Sequence, residues 1–291
     1  MRKKKLQLFD VVLLTILSLW MLMILLPFIN VVAISFTSNK EYLSNPLLLF
    51  PSQPTMKNYN DLFEDGRILS GYKNTFLILL IGLPLNLFLT LSFSYALSRS
   101  GYPGRKLIFY VILFTMLFNG GIIPMYMLMM ELKLTGSLLS VVLASGINTF
   151  YVIIARNFFA TLPVELFESA VVDGAGEWKM LFRIALPLSA PIVATITLFY
   201  AVDRWNEWFN AMIFIRKTSM QPLQVVLRSM VMDSQVFDKM AATAAAAVEQ
   251  ERFSNGIKMA AVMVTMVPIM CVFPFLQKHF VKGVLVGAIK A

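Results

Sequence analysis

Glu168-Ser169-Ala170-Val171-Val172-Asp173-Gly174-Ala175, continued by Ile184-Ala185-Leu186-Pro187, is a charged, small-residue stretch in a strongly apolar chain. It lies within residues 156–187, which hold no apolar run long enough to cross a membrane, and apolar runs flank it on both sides. The chain is 58% hydrophobic and 14% charged, against about 25% charged residues in an ordinary soluble domain. A helix needs ~20 apolar residues to cross ~30 Å of hydrocarbon. Several segments reach that length, so the expected class is an all-α polytopic membrane protein.

Six spans are expected, at residues 11–34, 75–97, 107–130, 138–155, 189–214 and 257–277. The first follows Arg2-Lys3-Lys4-Lys5 and imitates a secretory signal, but it is too long for a signal core of 7–15 residues. It reads as a retained signal anchor and first transmembrane helix. Short basic segments orient the rest: Arg99, Arg105 and Lys106; Arg156, Lys179 and Arg183; Lys278, Lys282 and Lys290. Lys and Arg collect in cytoplasmic loops, so these segments and both termini are expected in the cytoplasm. The net charge of +9 then has a topological origin, and no aromatic-interleaved basic domain exists to hold nucleic acid. Residues 37–74 and 216–256 are expected outside. The first is broken by Pro46, Pro51 and Pro54; the second carries Ala241–Ala247, a helix-prone run. Two parts result: residues 1–74, a first helix and external loop, and residues 75–291, a five-helix core. The one cysteine, Cys271, and the one histidine, His279, exclude a disulfide framework and speak against a metal site.

Within 156–187 the residues predict helix, turn, helix. Pro163 suits a first helical turn, and Glu165 and Glu168 fall where the helix dipole favours carboxylates. Leu166, Phe167 and Ala170 form an apolar stripe. Gly174 and Gly176 permit a left-handed turn or close approach. Trp178, Met180, Leu181, Phe182 and Ile184 make a second amphipathic run, which Leu186-Pro187 is expected to stop.

These residues resemble the EAA loop of ABC importer permeases, E-A-A-x-x-x-G-x(9)-I-x-L-P, in its carbohydrate-importer form E-A-A-x-x-D-G-A. Glu168, Ala170, Asp173, Gly174, Ala175, Ile184, Leu186 and Pro187 match; Ser169 departs, but is small. Trp205-Asn206-Glu207-Trp208-Phe209-Asn210 and Phe280-Val281-Lys282-Gly283…Gly287-Ala288-Ile289-Lys290 are likewise similar to sugar permeases of the maltose-permease group. Among these the chain is most similar to subunits for complex oligosaccharides in Gram-positive bacteria. The resemblance spans residues 70–291 and implies a type I ABC importer permease fold. It also implies a second homologous permease, two ABC ATPase subunits and an extracellular sugar-binding lipoprotein as partners. The 156–187 loop would be the ATPase contact. The chain itself has no G-x-x-x-x-G-K-[ST] loop, so no cofactor is expected on it, and ATP and Mg would be used by the partner ATPase.

Asp203, Asn206, Glu207 and Asn210 follow i, i+3, i+4, i+7, which on one helix makes a single polar face. At 1.5 Å per residue from Pro191, Asp203 lies roughly 18 Å into the membrane. Ionisable groups at such depth face a cavity or a partner. Two readings fit: a substrate pathway wall, with Trp205 and Trp208 for sugar rings, or an Arg204–carboxylate network locking helices. Asn119 and Asn148 are further pathway candidates, and Gly120-Gly121 with Pro124 interrupts the third span. An alternative class is a secondary transporter or channel for a small polar solute, which predicts repeated halves. An intramembrane enzyme would need a catalytic set at depth, which is not found.

Overall fold

The computed structural model describes residues 8–232 and 254–288, with the side chains of the last helix described only in its first part. Arg2–Lys5, Ala241–Ala247, Ile289 and Lys290 lie outside the described residues. All regular structure among the described residues is helical. The chain divides into two compact units, one of Met1–Ile68 with Leu227–Pro268 and the other of Leu69–Val226 with Ile269–Ala291.

In the first unit, α1 (Leu8–Ser35) is apolar on every side and carries Pro27 within it. Only its end is buried: Ala33 and Ile34 pack with Leu48, Tyr42 and Met259. A helix end leaves carbonyls without partners. Here Asn58 of α3 (Lys57–Glu64) supplies donors, its Nδ2 reaching Ser35 O at 3.0 Å and Thr37 O at 2.9 Å. The short α2 (Asn39–Ser44) lies between. Glu41 receives the Ser52 N–H, and that bond holds its carboxyl below the usual carboxylate range.

The second helix of the membrane core, α4 (Arg67–Ser98), starts well before the expected residue 75. Its opening residues looked like loop because they are polar, but those groups are spent on tertiary bonds. Asn74 donates to Ser219 O and Gln221 O, and Thr75 Oγ1 accepts the Leu223 N–H at 2.9 Å. At Gly71 a Cβ would stand 3.1 Å from Leu223 Cα, so only glycine lets α4 approach α13 (Leu223–Met232) this closely.

Two expected spans, 107–130 and 138–155, are bent helix pairs, and a third bent pair joins the expected loop to the start of the span 189–214. The first pair is α5 (Arg105–Leu117) and α6 (Ile122–Glu131), which meet at 115°. Gly121 sits there with φ +91°, so the interruption expected at the glycines is a sharp turn. The second pair, α7 (Leu138–Ala144) and α8 (Thr149–Phe159), bends by 55°. Next come α9 (Glu165–Val172) and α10 (Glu177–Leu188), and α10 turns by 89° into α11 (Ala190–Trp205). Pro187 does not stop α10 as expected. The helix widens to a π-turn at Leu181–Ala185, continues to Leu188 and breaks at Ser189. A wider turn relieves the collision of a proline ring with the carbonyl of the preceding turn. α11 ends at Trp205 and α12 (Phe209–Phe214) follows after three residues, so the expected span 189–214 is two helices. The last helix is α14 (Ser254–Ala288). Among the described residues, three helices are long and apolar enough to cross a membrane, or up to six if each bent pair counts as one span.

The main core joins Leu91 and Tyr95 of α4, Ala155 and Phe159 of α8, Phe167 and Ala170 of α9 and Ile192, Ile196 and Tyr200 of α11. The helix–turn–helix loop is thus packed into the membrane core through its own buried residues.

Candidate functional site

The loop and the polar residues of α11 form two separate constellations. In the loop, Glu165 opens α9 and Glu168 completes its first turn, as the dipole argument requires. The helix ends in a Schellman motif. Gly174 N donates to Val171 O at 3.0 Å and Ala175 N to Ala170 O at 2.9 Å, with Gly174 at φ +74°. That left-handed position needs glycine. Gly176 is different: its φ is −75° and it precedes α10.

Phe167 and Ala170 are buried, whereas Leu166 is 41% exposed, so the expected apolar stripe loses one member. Glu168, Ser169, Asp173, Gly174 and Pro187 are exposed, and Ala175, Ile184 and Leu186 are half-buried. The result is a rigid helix with one face anchored in the core and the other bare. Apart from its chain neighbours, no heavy atom of the described residues lies within 4 Å of a Cβ placed on Gly174. Behind the helix, Arg99 lies 4.1 Å over the Phe167 ring, and the Tyr95 hydroxyl donates to Glu177 Oε2 at 3.0 Å. The nearby Tyr102 phenol is pushed up, first by burial and then by the Glu177 carboxylate.

The second constellation centres on Arg204, which is 2% exposed. Its guanidinium donates to Val141 O, Val142 O and Ser145 O, to Ser145 Oγ, and through Nε to Asn86 Oδ1, all within 2.8–3.1 Å. These carbonyls are the ones that the break between α7 and α8 frees. Asn86 of α4 completes the set by donating to Ser145 O and Gly146 O. Tyr200 Oη accepts the Asn148 N–H at 2.9 Å and bonds Thr90 Oγ1 at 2.6 Å. Broken backbone at membrane depth survives only where its polar groups find such partners. Gly82 makes room for this: a Cβ there would meet Arg204 Nε at 3.1 Å.

Because the helix stops at Trp205, Asp203, Asn206, Glu207 and Asn210 do not form the continuous helical face read from their spacing. Asp203, Asn206, Glu207, Trp208 and Asn148 nevertheless line one cavity of about 340 Å³, with Arg204 in its wall. Asp203 Oδ2 accepts the Tyr151 hydroxyl at 2.8 Å. Glu207 accepts the Asn210 N–H and Nδ2–H, both at 3.1 Å, and lies 3.8 Å from Arg204 Nη1. Asn210 therefore positions Glu207 without lining the cavity.

Two expected pathway residues lie elsewhere. Trp205 is 7% exposed and packs edge-on against Tyr72 and Phe76 of α4. Asn119 accepts the Gly121 N–H at 2.8 Å and is spent on the α5–α6 turn. Arg204 ties α11 to α4 and to the α7–α8 break, and the acidic and amide groups beside it face the cavity. Asn86, Tyr151 and Tyr200 were missed. An Asn two residues after Pro84 in an apolar span was the legible signal, since polar groups at depth need partners.

A broken-helix apolar bundle with a polar cavity and, apart from it, an exposed helix anchored in the core fits a membrane transport subunit. The chain belongs to the family of binding-protein-dependent transport system inner membrane components, whose model matches residues 66–286. It is a permease subunit of an ABC importer, and the secondary-transporter alternative falls with that. It is similar to Protein LplC of Bacillus subtilis (strain 168), 39% identical over 91% of this chain and 89% of that one. It is also similar to the polygalacturonan/rhamnogalacturonan transport system permease protein YtcP of the same organism, 36% identical over 98% and 99%. A crystal structure of a bacterial ABC transporter involved in the import of the acidic polysaccharide alginate superposes with a TM-score of 0.84. That chain is 28% identical and is covered to 99%, against 96% of this chain.

Proposed function

We propose that the chain is one of two permease subunits of an importer for an oligosaccharide. Two ABC ATPase subunits drive it with ATP and Mg, and an extracellular sugar-binding lipoprotein feeds it. The loop from Glu165 to Pro187 and both termini then face the cytoplasm. The observation that carries this is the bare face of α9, with its Schellman glycine open to a partner. Amides, carboxylates and an aromatic ring around the cavity suit sugar hydroxyls and C–H faces, in keeping with the polysaccharide substrates of the similar proteins.

As a permease the chain does no hydrolysis of its own. Closure of the ATPases pushes on α9 and tilts the helices that the loop joins, so that the cavity opens to alternate sides. Gentle detergent extraction of the tagged chain, followed by mass spectrometry, tests the assembly. A second permease and an ATPase are expected; a homo-oligomer without an ATPase refutes the reading.

Glu207→Ala tests the cavity. It removes a carboxylate held by Asn210 but leaves all five Arg204 hydrogen bonds in place. Uptake is expected to fall by about tenfold, the scale of one lost hydrogen bond to a charged group, with the complex still assembled. If the complex falls apart instead, Glu207 belongs to the lock and not to the pathway.

A further inference from the structure

We propose that α4 is driven by the coupling loop and carries its motion to the cavity, although α4 is not joined to that loop by the chain. This rests on the reading of Glu165–Pro187 as the ATPase contact. By sequence the loop connects α8 to α11. In space both of its limbs are clasped by α4. The first limb is held where Arg99, just past the end of α4, covers the Phe167 ring of α9 at 4.1 Å. The second limb is held twice. Tyr95 donates to Glu177, and the Phe88 ring stacks on Trp178 with centroids 6.0 Å apart and planes 7° apart.

Phe88, Tyr95 and Arg99 are spaced by seven and four residues. At 100° per residue they fall on one stripe of α4, about 16 Å long. A cation over a ring and a hydrogen bond to a carboxylate are directional contacts. They oppose sliding of the loop along α4 more than greasy packing does. Tyr95 also packs with Phe159 and Phe167 in the buried core, so the clasp has no slack behind it.

The same helix reaches the cavity. Asn86 lies two residues from Phe88 and holds Arg204 Nε, Ser145 O and Gly146 O. Thr90 bonds Tyr200, whose hydroxyl receives the Asn148 N–H. Movement of α4 therefore acts on the α7–α8 break, and Ser145 and Asn148 at that break line the cavity. The loop thus has a route through α4 in addition to its covalent ends. Packed side chains between two sites carry no proof of coupling in themselves, so the test must read coupling directly.

A reporter without need of the transported sugar is a single thiol in the cavity wall. Ile147 lines the cavity, is 45% exposed and holds no polar partner through its side chain. The assembled importer carries Cys271→Ser and Ile147→Cys, and the rate of labelling by a small maleimide is measured without nucleotide and after trapping with ATP and vanadate. In this parent the two rates are expected to differ by about tenfold, within the usual range of coupling between sites. Tyr95→Phe with Arg99→Ala should reduce the difference below about twofold, with the same amount of trapped nucleotide per complex. Arg99→Lys, which keeps a cation over Phe167, should restore part of it.

An unchanged rate difference in the Tyr95→Phe, Arg99→Ala complex overturns the α4 route, and so does a loss of assembly with the difference intact in the complexes that remain. Gly174→Asp in the same reporter separates this failure from that of the parent reading. If Gly174→Asp abolishes the difference and the α4 variants do not, only the α4 route falls. If neither variant changes it, or the parent shows none, the coupling loop reading falls as well.

Discussion

Gly174→Asp is expected to leave an inserted, assembled permease that no longer takes up sugar. Two terms compete. Gly174 sits at φ +74°, where a side chain costs about 1–2 kcal/mol, and Asp is among the residues that tolerate this region best. Among the described residues, its chain neighbours apart, no atom lies within 4 Å of the new Cβ. The fold therefore survives. What changes is the bare face of α9, where added bulk and charge occupy the space that an ATPase groove needs, next to Asp173 and Glu168. Uptake by cells or proteoliposomes should drop to background while membrane levels stay near those of the parent. Gly174→Ala is the control: it carries the backbone strain with little of the bulk, and should retain most activity. Normal uptake in Gly174→Asp excludes the loop as the coupling contact.

Arg204→Met is expected to have the largest effect on stability. The side chain is of similar length and apolar, so the loss is of hydrogen bonds rather than volume. Five bonds disappear; the buried Val142 carbonyl loses its Arg204 donor, and Val141 O keeps only a long bond of 3.5 Å from Ser145 Oγ. Each buried group without a partner costs about 1–3 kcal/mol, and Glu207 loses the Arg204 cation 3.8 Å away. Removing one member of a buried charged network costs about 3–5 kcal/mol. The thermal midpoint of the purified subunit complex should fall by ~10 °C, with aggregation on extraction. Arg204→Lys should recover only part of this, because one ammonium cannot reach the carbonyls, the Ser145 hydroxyl and Asn86 together as the planar fork does. A midpoint within a degree or two of the parent shows that the α7–α8 break does not depend on Arg204.

The contrast between the two residues reflects where each side chain points. Gly174 faces outward, so its replacement is expected to disturb function before stability. Arg204 acts inward, and its replacement disturbs stability before function. The cavity-facing groups fall between, since Asp203 is held by Tyr151 and Glu207 by Asn210, Ser145 and Arg204, and both still border open space.

Much was legible without coordinates. Length of apolar runs places the helices, because crossing hydrocarbon is a demand on composition alone. The loop was readable for a similar reason: caps, dipole and glycine are local, so Glu165, Glu168 and Gly174 stand in the structure where their residue types place them. Ionisable groups at membrane depth also identified the region around residue 203, since their cost demands a reason.

What the sequence could not decide is where helices break and who repairs the break. Asp203, Asn206, Glu207 and Asn210 fit one helical face, yet the helix ends at Trp205 and three of the four meet at the cavity by other means. Trp205 looked like a sugar platform and is a packing residue against α4. Asn119 looked like a pathway residue and ties a turn. Each error has one physical cause: a local pattern reports which groups need partners, but the partners stand far off in sequence. Arg204 finds Asn86 and Ser145 across 118 and 59 residues. Polar residues at the start of α4 likewise read as loop until Ser219, Gln221 and Leu223 take up their bonds. Local chemistry therefore determined the helices and the exposed loop with its Schellman glycine, and long-range hydrogen bonding, which only the tertiary structure supplies, decided the bends, the buried Arg204 network and the cavity beside it.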